Sequence, residues 1–164
     1  MKSRVGIHAS QEWFGQLPEG IKKPVSDGGN MRLTKKSEYA LLALIDLARC
    51  YGKDTAKIFE VAQRNGIPKK YLEQIFLQLK GGGYVRSIRG ANGGYELAKA
   101  PDKISLAEII RFIDGPLASV GSASLYFFEH TPIERSNKLL QVFKDIRDIV
   151  ADKLENTTLN QLID

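Results

Sequence analysis

A mainly α-helical fold is predicted, in which a helix-turn-helix leads into a two-stranded hairpin and a long amphipathic helix lies near the end of the chain. Three stretches carry that prediction. In Gly66 to Ala98 (GIPKKYLEQIFLQLKGGGYVRSIRGANGGYELA), Leu72, Ile75, Phe76 and Leu79 recur at i, i+3, i+4 and i+7, the apolar stripe of a helix, and two alternating segments follow around a glycine-rich turn. Lys57 to Asn65 reads as a second short helix, and the turn Asn65-Gly66-Ile67-Pro68 joins the two at a steep angle. Downstream, Thr131-Pro132-Ile133-Glu134 is a capping box with proline where a helix starts, ahead of a long apolar stripe.

In chain order, residues 1 to 30 show no sustained period and are broken by Pro18, Gly20, Pro24, Gly28 and Gly29, which predicts a mobile extension or a start-site artefact before MRLTKKSEYALLALIDLA. Thr34 is the expected N-cap of a helix from Lys35 to Tyr51, apolar almost all round between Tyr39 and Ala48 apart from Asp46, and therefore covered on two sides. In the second helix Ile58, Val61 and Ala62 face inward, and Gly66 ends it in a left-handed cap. Pro68 suits the first turn of the third helix, and Gly81, Gly82 and Gly83 are expected to stop it with left-handed backbone. Tyr84 to Arg89 and Tyr95 to Ala98 are the predicted strands, with Gly90 to Gly94 as their turn.

Ser105 and Glu108 form a capping box for a helix whose inner face is Leu106, Ile109, Ile110 and Ile113 and which Asp114-Gly115-Pro116 ends. Residues 117 to 130 read as a loop with an aromatic cluster, Tyr126, Phe127 and Phe128. The long helix is expected from Pro132 to about Glu155, roughly 36 Å at ~1.5 Å per residue. Leu139, Phe143, Ile146 and Val150 form its stripe, widened by Leu140, Val142, Ile149 and Leu154, and so much apolar surface on so small a chain predicts a second copy against it. A short terminal helix follows from Thr157 to Ile163. The expected organisation is thus an extension (1–30), a winged helix-turn-helix (31–103), a helix with an effector or linker region (104–130), and a dimerisation helix with its short terminal helix (131–164).

Charge is uneven along the chain. Residues 31 to 100 hold 13 Lys+Arg against 6 Asp+Glu, whereas residues 101 to 164 hold 7 against 10. The basic half is the half with the helix and hairpin, which favours a polyanionic partner and salt-sensitive binding. Lys69, Lys70, Glu73, Gln74 and Gln78 fall opposite the apolar stripe, where long polar side chains reach base edges and phosphates in a major groove. The hairpin tip is expected to place Arg86 and Arg89 beside Asn92, on backbone thin enough to enter a minor groove. No apolar run approaches a membrane span, no signal peptide opens the chain, and the single cysteine, Cys50, excludes an intrachain disulfide, which together predict a cytoplasmic protein with no membrane partner. Cys50 reads as a small buried apolar residue, with a redox sensor as the alternative. No nucleophile–base motif and no paired histidines point to an enzyme or a metal site, and no cofactor is expected.

From Met31 to Asp164 the chain resembles the IscR, NsrR and CymR family of bacterial winged-helix regulators, also called the Rrf-two or BadM family. The motifs that carry the resemblance are MRLTKKSEYALLALIDLA, IPKKYLEQIF, SIRGANGGYELAKAPDKISLAEIIRFIDGP and TTLNQLI. It implies a homodimer, most simply a repressor, on a palindromic operator of double-stranded DNA. Glu73 of the YLEQ motif would then face base edges with Tyr71 and Gln74 assisting, and Lys69 and Lys70 would hold phosphates. Arg89 of the wing motif would enter the minor groove with Gly90, Gly93 and Gly94 shaping the tip, and Tyr39, near Arg32 and Lys35, would touch backbone. Cluster-binding members carry three cysteines between the DGP turn and the long helix; here VGSAS and EHT stand there, so a cluster of that kind is not expected, and the signal would be a small molecule or a protein. The competing expectation is a winged-helix adaptor that acts through a partner protein rather than DNA.

Overall fold

A computed structural model describes residues 33–115, 117, 120–125 and 128–163. The expected extension, Arg32, Pro116, Tyr126 and Phe127 lie outside them. The first helix, α1 (Lys35–Arg49), is capped by Thr34, whose hydroxyl accepts the Ser37 N–H. It ends two residues earlier than its composition suggests, because Cys50 and Tyr51 turn their N–H groups onto Leu47 and Ala48 in a tightened last turn before Gly52. Ala40, Ala43, Leu44, Leu47 and Ala48 are buried at its inner side.

Helices α2 (Ile58–Asn65) and α3 (Lys69–Gly81) form the expected helix-turn-helix. Gly66 makes the left-handed cap between them, and Leu72, Ile75, Phe76 and Leu79 of α3 are all buried against α1 and α2. Of the three glycines after α3, only Gly83 is left-handed (φ 74°); Gly81 remains helical and Gly82 is right-handed, because one reversed residue is enough to turn the chain into the hairpin.

The hairpin pairs β1 (Val85–Ile88), one residue shorter at each end than the alternation suggests, antiparallel with β2 (Gly94–Leu97), which begins and ends one residue earlier than expected. Its base is anchored by Val85 and Leu97, which face each other and are both buried in the core. Helix α4 (Leu106–Asp114) starts at Ser105, whose hydroxyl accepts the Glu108 N–H; Ala107, Ile109 and Ile110 are its buried residues, whereas Leu106 and Ile113 are only half-buried on its flanks. Tyr84, between α3 and β1, donates its hydroxyl to Glu108 at 3.1 Å. Burial first, then the Glu108 charge and the hydrogen bond, push its phenol up to about 12.

The long helix is interrupted. Pro132–Arg135 forms a 3₁₀ turn with the Thr131/Glu134 capping box, Ser136 is extended (φ −123°), and α5 runs from Asn137 to Glu155. The reason is local competition: Ser136 Oγ caps Leu139 N–H, so a second N-cap starts the helix afresh and shortens it to 19 residues, about 28 Å. After α5, Thr158 and Gln161 close a capping box on the 3₁₀ turn Leu159–Leu162, and Leu159 plugs the core with no exposure at all.

Among the described residues, Asp46 is the one buried side chain that carries a charge. Asp46 on α1 is 4% exposed, and both its oxygens are taken by the last turn of α2: Arg64 Nε donates to them at 3.2 and 3.0 Å, Arg64 Nη2 at 2.9 Å, and Asn65 Nδ2 at 3.4 Å. A buried carboxylate without that fork would be strongly unfavourable. Arg64→Ala is expected to lower the unfolding free energy by about 2 kcal/mol, on the low side for orphaning a buried charge because the arginine itself is half exposed, and Arg64→Lys to lose less; the urea midpoints of the two variants check this.

Candidate nucleic-acid interface

Three elements, α1, α3 and the hairpin, carry the expected site residues that the structure describes. Helix α3 turns Lys69, Lys70, Glu73 and Gln74 to solvent because its stripe of four core residues fixes its rotation. Lys69 Nζ lies 3.5 Å from a Glu73 oxygen, an exposed i,i+4 pair worth at most about 1 kcal/mol, so either group can be turned to a new partner cheaply. Tyr71 sits at the flank of α3, and Tyr39 of α1 meets it edge to face with ring centroids 5.7 Å apart. That contact joins the start of the third helix to the first. Lys35, in the first turn of α1, pairs with Glu38 at 2.9 Å.

The wing is held at both edges. Lys80 at the end of α3 donates to Ser87 Oγ of β1 at 2.9 Å, and on the other side Ala56 forms a two-bond bridge to Tyr95 of β2 at 2.9 and 2.8 Å. Thr55 Oγ1 donates to the Asn92 carbonyl at 2.8 Å, tying the tip to the α1–α2 loop. Tyr95 in turn packs on Phe76 of α3, centroids 4.7 Å apart. The tip Arg89-Gly90-Ala91-Asn92-Gly93 is thereby carried on a braced ribbon, with Arg89 and Asn92 exposed and Gly90 at φ 109°. Arg86 is not at the tip. It lies mid-strand, directly opposite Glu96, and its Nε donates to that carboxylate at 2.7 Å, since strand pairing places the two side chains on one face.

Residues that bind the wing were missed from sequence. Thr55 and Ala56 carried no motif, and their partners lie about forty positions downstream. Asp46 was noticed only as an exception on an apolar helix, and Arg64 was not noticed at all.

On α5 the exposed apolar row is Leu139, Val142, Ile146 and Ile149, rotated from the row chosen by spacing. Leu140, Phe143, Val150 and Leu154 are half-buried, and Leu154 with Ala151 packs on Ala107, Ile110 and Leu117 of the same chain, because α4 occupies that side. Cys50 is half-buried at the C-cap of α1 rather than inside the core.

Residues 33–164 match the model of the Rrf2 family, described as "Iron-dependent Transcriptional regulator". The chain belongs to the Rrf2 family. It is 36% identical over 132 residues to the HTH-type transcriptional regulator CymR of Bacillus subtilis (strain 168), covering 80% of this chain and 89% of that protein. It is 33% identical over 133 residues to the HTH-type transcriptional regulator IscR of Erwinia tasmaniensis, covering 81% and 79%. Among solved structures it is similar to B. subtilis CymR, the global cysteine regulator of that organism, with a TM-score of 0.65, 35% identity and coverage of 80% of this chain and 95% of that one. T. potens IscR superposes with a TM-score of 0.63, 29% identity and coverage of 80% and 85%. The five-helix, two-stranded arrangement is therefore the winged helix of Rrf2 regulators, and this chain is a DNA-binding transcription regulator, not an enzyme.

The iron of the family description finds no thiolate cradle in the segment between α4 and α5. Ser122, 3% exposed, shares a 2.6 Å hydrogen bond with the Thr131 hydroxyl, and the Gly121 carbonyl accepts the N–H groups of Ser124 and Glu129. Arg147 of α5 donates to the Ala123 carbonyl. Glu134 accepts from the Thr131 N–H and meets His130 Nδ1 at 3.1 Å, and these contacts hold its carboxyl below the usual range. Iron–sulfur clusters are held by thiolates, and hydroxyls already bonded to each other do not fit one. No group of three His, Cys, Asp or Glu side chains converges among the described residues.

The bracing of the wing gives a direct test. A Cβ at Gly94 would lie 2.7 Å from the Ala56 carbonyl and 2.9 Å from Thr55 Oγ1. Gly94→Ala is expected to cost about 1–3 kcal/mol of stability by forcing the strand off the α1–α2 loop, and to weaken DNA binding at temperatures where the variant is still folded; denaturation and binding isotherms on the same sample check both.

Proposed function

We propose that the protein is a homodimeric repressor that reads a palindromic operator without an iron–sulfur cluster. The observation that supports it is an exposed polar face on α3 and an exposed wing tip on a hairpin tied to that helix through contacts of Lys80 with Ser87 and of Phe76 with Tyr95, a helix suiting a major groove and a glycine-thinned tip a minor one. Glu73 accepts from a cytosine amino group with Tyr71 and Gln74 beside it, Lys69 and Lys70 hold phosphates, and Arg89 enters the minor groove on the glycine-thinned tip with Gly90 and Asn92. Tyr39 and Lys35 of α1 would contact the DNA backbone, and Arg32, outside the described residues, would join them. Arg86, already opposite Glu96, exchanges that partner for a phosphate or remains a strut. The occupant of the Leu139, Val142, Ile146 and Ile149 row is a second copy, since a row of four large apolar side chains on one helix face is the seam of a helix pair. The hydrogen-bonded segment 120–131 is where a small molecule or a partner protein would signal, as the donor set supports no cluster of the family kind.

DNA upstream of the protein's own gene is the first probe. Affinity is expected to fall steeply between low and moderate salt. Arg89→Ala weakens operator binding on the order of tenfold, the loss of one charge-assisted contact, and Glu73→Ala chiefly relaxes base preference at one position per half-site by about 1–3 kcal/mol. Salt-independent binding, or both variants treating operator and scrambled DNA as wild type does, would sink the assignment in favour of an adaptor.

Light scattering on the same protein is expected to return the mass of two chains, and Ile149→Glu, which places a charge in the middle of the exposed row, the mass of one. A monomeric wild type ends the dimer.

A further inference from the structure

The central row of the outward face of α3 has one member that recognition of phosphates and polar base edges does not account for. Residues 70, 73, 74 and 77 share that row at i, i+3, i+4 and i+7. Lys70, Glu73 and Gln74 are exposed polar side chains, whereas Leu77 holds a bare isobutyl group in water at 67% exposure. It is not core, because Leu72, Ile75, Phe76 and Leu79 fill the opposite side of the helix. Nor is it part of an apolar patch along α3: one turn to either side stand Glu73, Gln74, Lys80 and Gly81, all exposed. An apolar group ringed by lysine, glutamate and glutamine is a poor centre for a protein interface, whose buried middle is depleted of charge.

A major groove offers such a group one apolar feature among its donors and acceptors, the 5-methyl of thymine. The geometry points to Leu77 as a further specificity-determining residue, reading one thymine methyl in each half-site; this rests on α3 being the helix that enters the groove. Leu77 lies four residues past Glu73, about 6 Å along the helix axis, and base pairs are spaced about 3.4 Å, so its thymine falls about two steps from the pair that Glu73 reads. Leucine carries no donor or charge, so it adds nothing to phosphate binding. Its effect is confined to sequence.

The test uses the full chain and a duplex that the wild type selects from random-sequence DNA, with each thymine replaced in turn by uracil, which removes the methyl group and nothing else. The expected result is a loss of about three- to fivefold for wild type at one position per half-site, the worth of one buried methyl-sized group, two steps from the position whose preference relaxes in Glu73→Ala. Leu77→Ala should bind the thymine and uracil duplexes equally and keep the wild-type salt slope, and because the residue is exposed on a helix, alanine there leaves folding intact. A wild type indifferent to uracil at every position, or a Leu77→Ala protein that retains the whole uracil penalty, overturns the role of Leu77 and leaves the DNA reading standing. A wild type that selects no sequence from the library overturns both.

Discussion

The carboxylate of Asp46 ties the end of α2, and through the turn that follows it the start of α3, to α1. A charged group at the centre of a helix covered on two sides has to be met by donors, and the donors come from consecutive residues, Arg64 and Asn65, at the end of α2. Their position is over-determined: Asn65 also donates back to the Val61 carbonyl, and Gly66 leaves the helix at once in a left-handed turn whose successor, Ile67, donates to Ala62. Once the C-terminal end of α2 is fixed on α1, the short turn to Pro68 leaves α3 little freedom, and the four buried side chains of α3 settle its rotation. Buried ion pairs contribute little net stability against apolar substitutes, but removing one partner leaves the other charge buried and uncompensated, so α1 and α2 are held in the arrangement that keeps the fork closed. Here that arrangement aims Lys70, Glu73, Gln74 and Leu77 away from the core.

The wing depends on the same construction at one remove. Two four-residue strands are too short to stand alone in water. They persist because Val85 and Leu97 enter the core and because the α1–α2 loop supplies Ala56 as a third strand segment. That loop leaves the same α1 that carries Asp46, so wing and recognition helix share one foundation. The C-terminal turn adds to it, with Leu159 in the core and its N–H on the Ile104 carbonyl just ahead of α4.

What could be read from sequence divides by range. The buried stripe of α3, the Gly66 cap, the Thr131 capping box, the Ser105 N-cap and the hairpin were legible because each is written locally; the other half of the expected Ser105 box does not form, because the Glu108 carboxylate takes Tyr84 and Lys99 instead. The break at Ser136 was not legible, since two valid N-caps five residues apart compete and only packing decides between them. On α5 Leu139 and Ile146 of the expected stripe are exposed together with Val142 and Ile149, whereas Phe143 and Val150 are half-buried, because the apolar residues go most of the way round and α4 covers one side. Long-range partners left no trace: Asp46 with Arg64, Thr55 with Asn92, Arg86 with Glu96. Leu77 was hidden for another reason. Periodicity assigns apolar residues to the core by default, and an exposed leucine on the opposite face is visible only once burial is known.

The described residues between α4 and α5 are joined to one another and to α5 by hydrogen bonds. These include two neutral ones, Ser122 to Thr131 and Glu129 N–H to Gly121, and one charge-assisted bond from Arg147 to the Ala123 carbonyl, none of which involves a metal or a redox-active group. The segment is nevertheless not isolated from the reading head. Asp114, the last residue of α4, accepts both the N–H and the hydroxyl of Thr34, at 3.1 and 2.6 Å, and Thr34 is the cap that starts α1. From there α1 carries Tyr39 to its contact with Tyr71 on α3. The end of α4 is thus hydrogen-bonded to the cap of the helix whose Tyr39 packs on Tyr71 of α3, so α4, α1 and α3 are linked by contacts made of side chains and backbone alone.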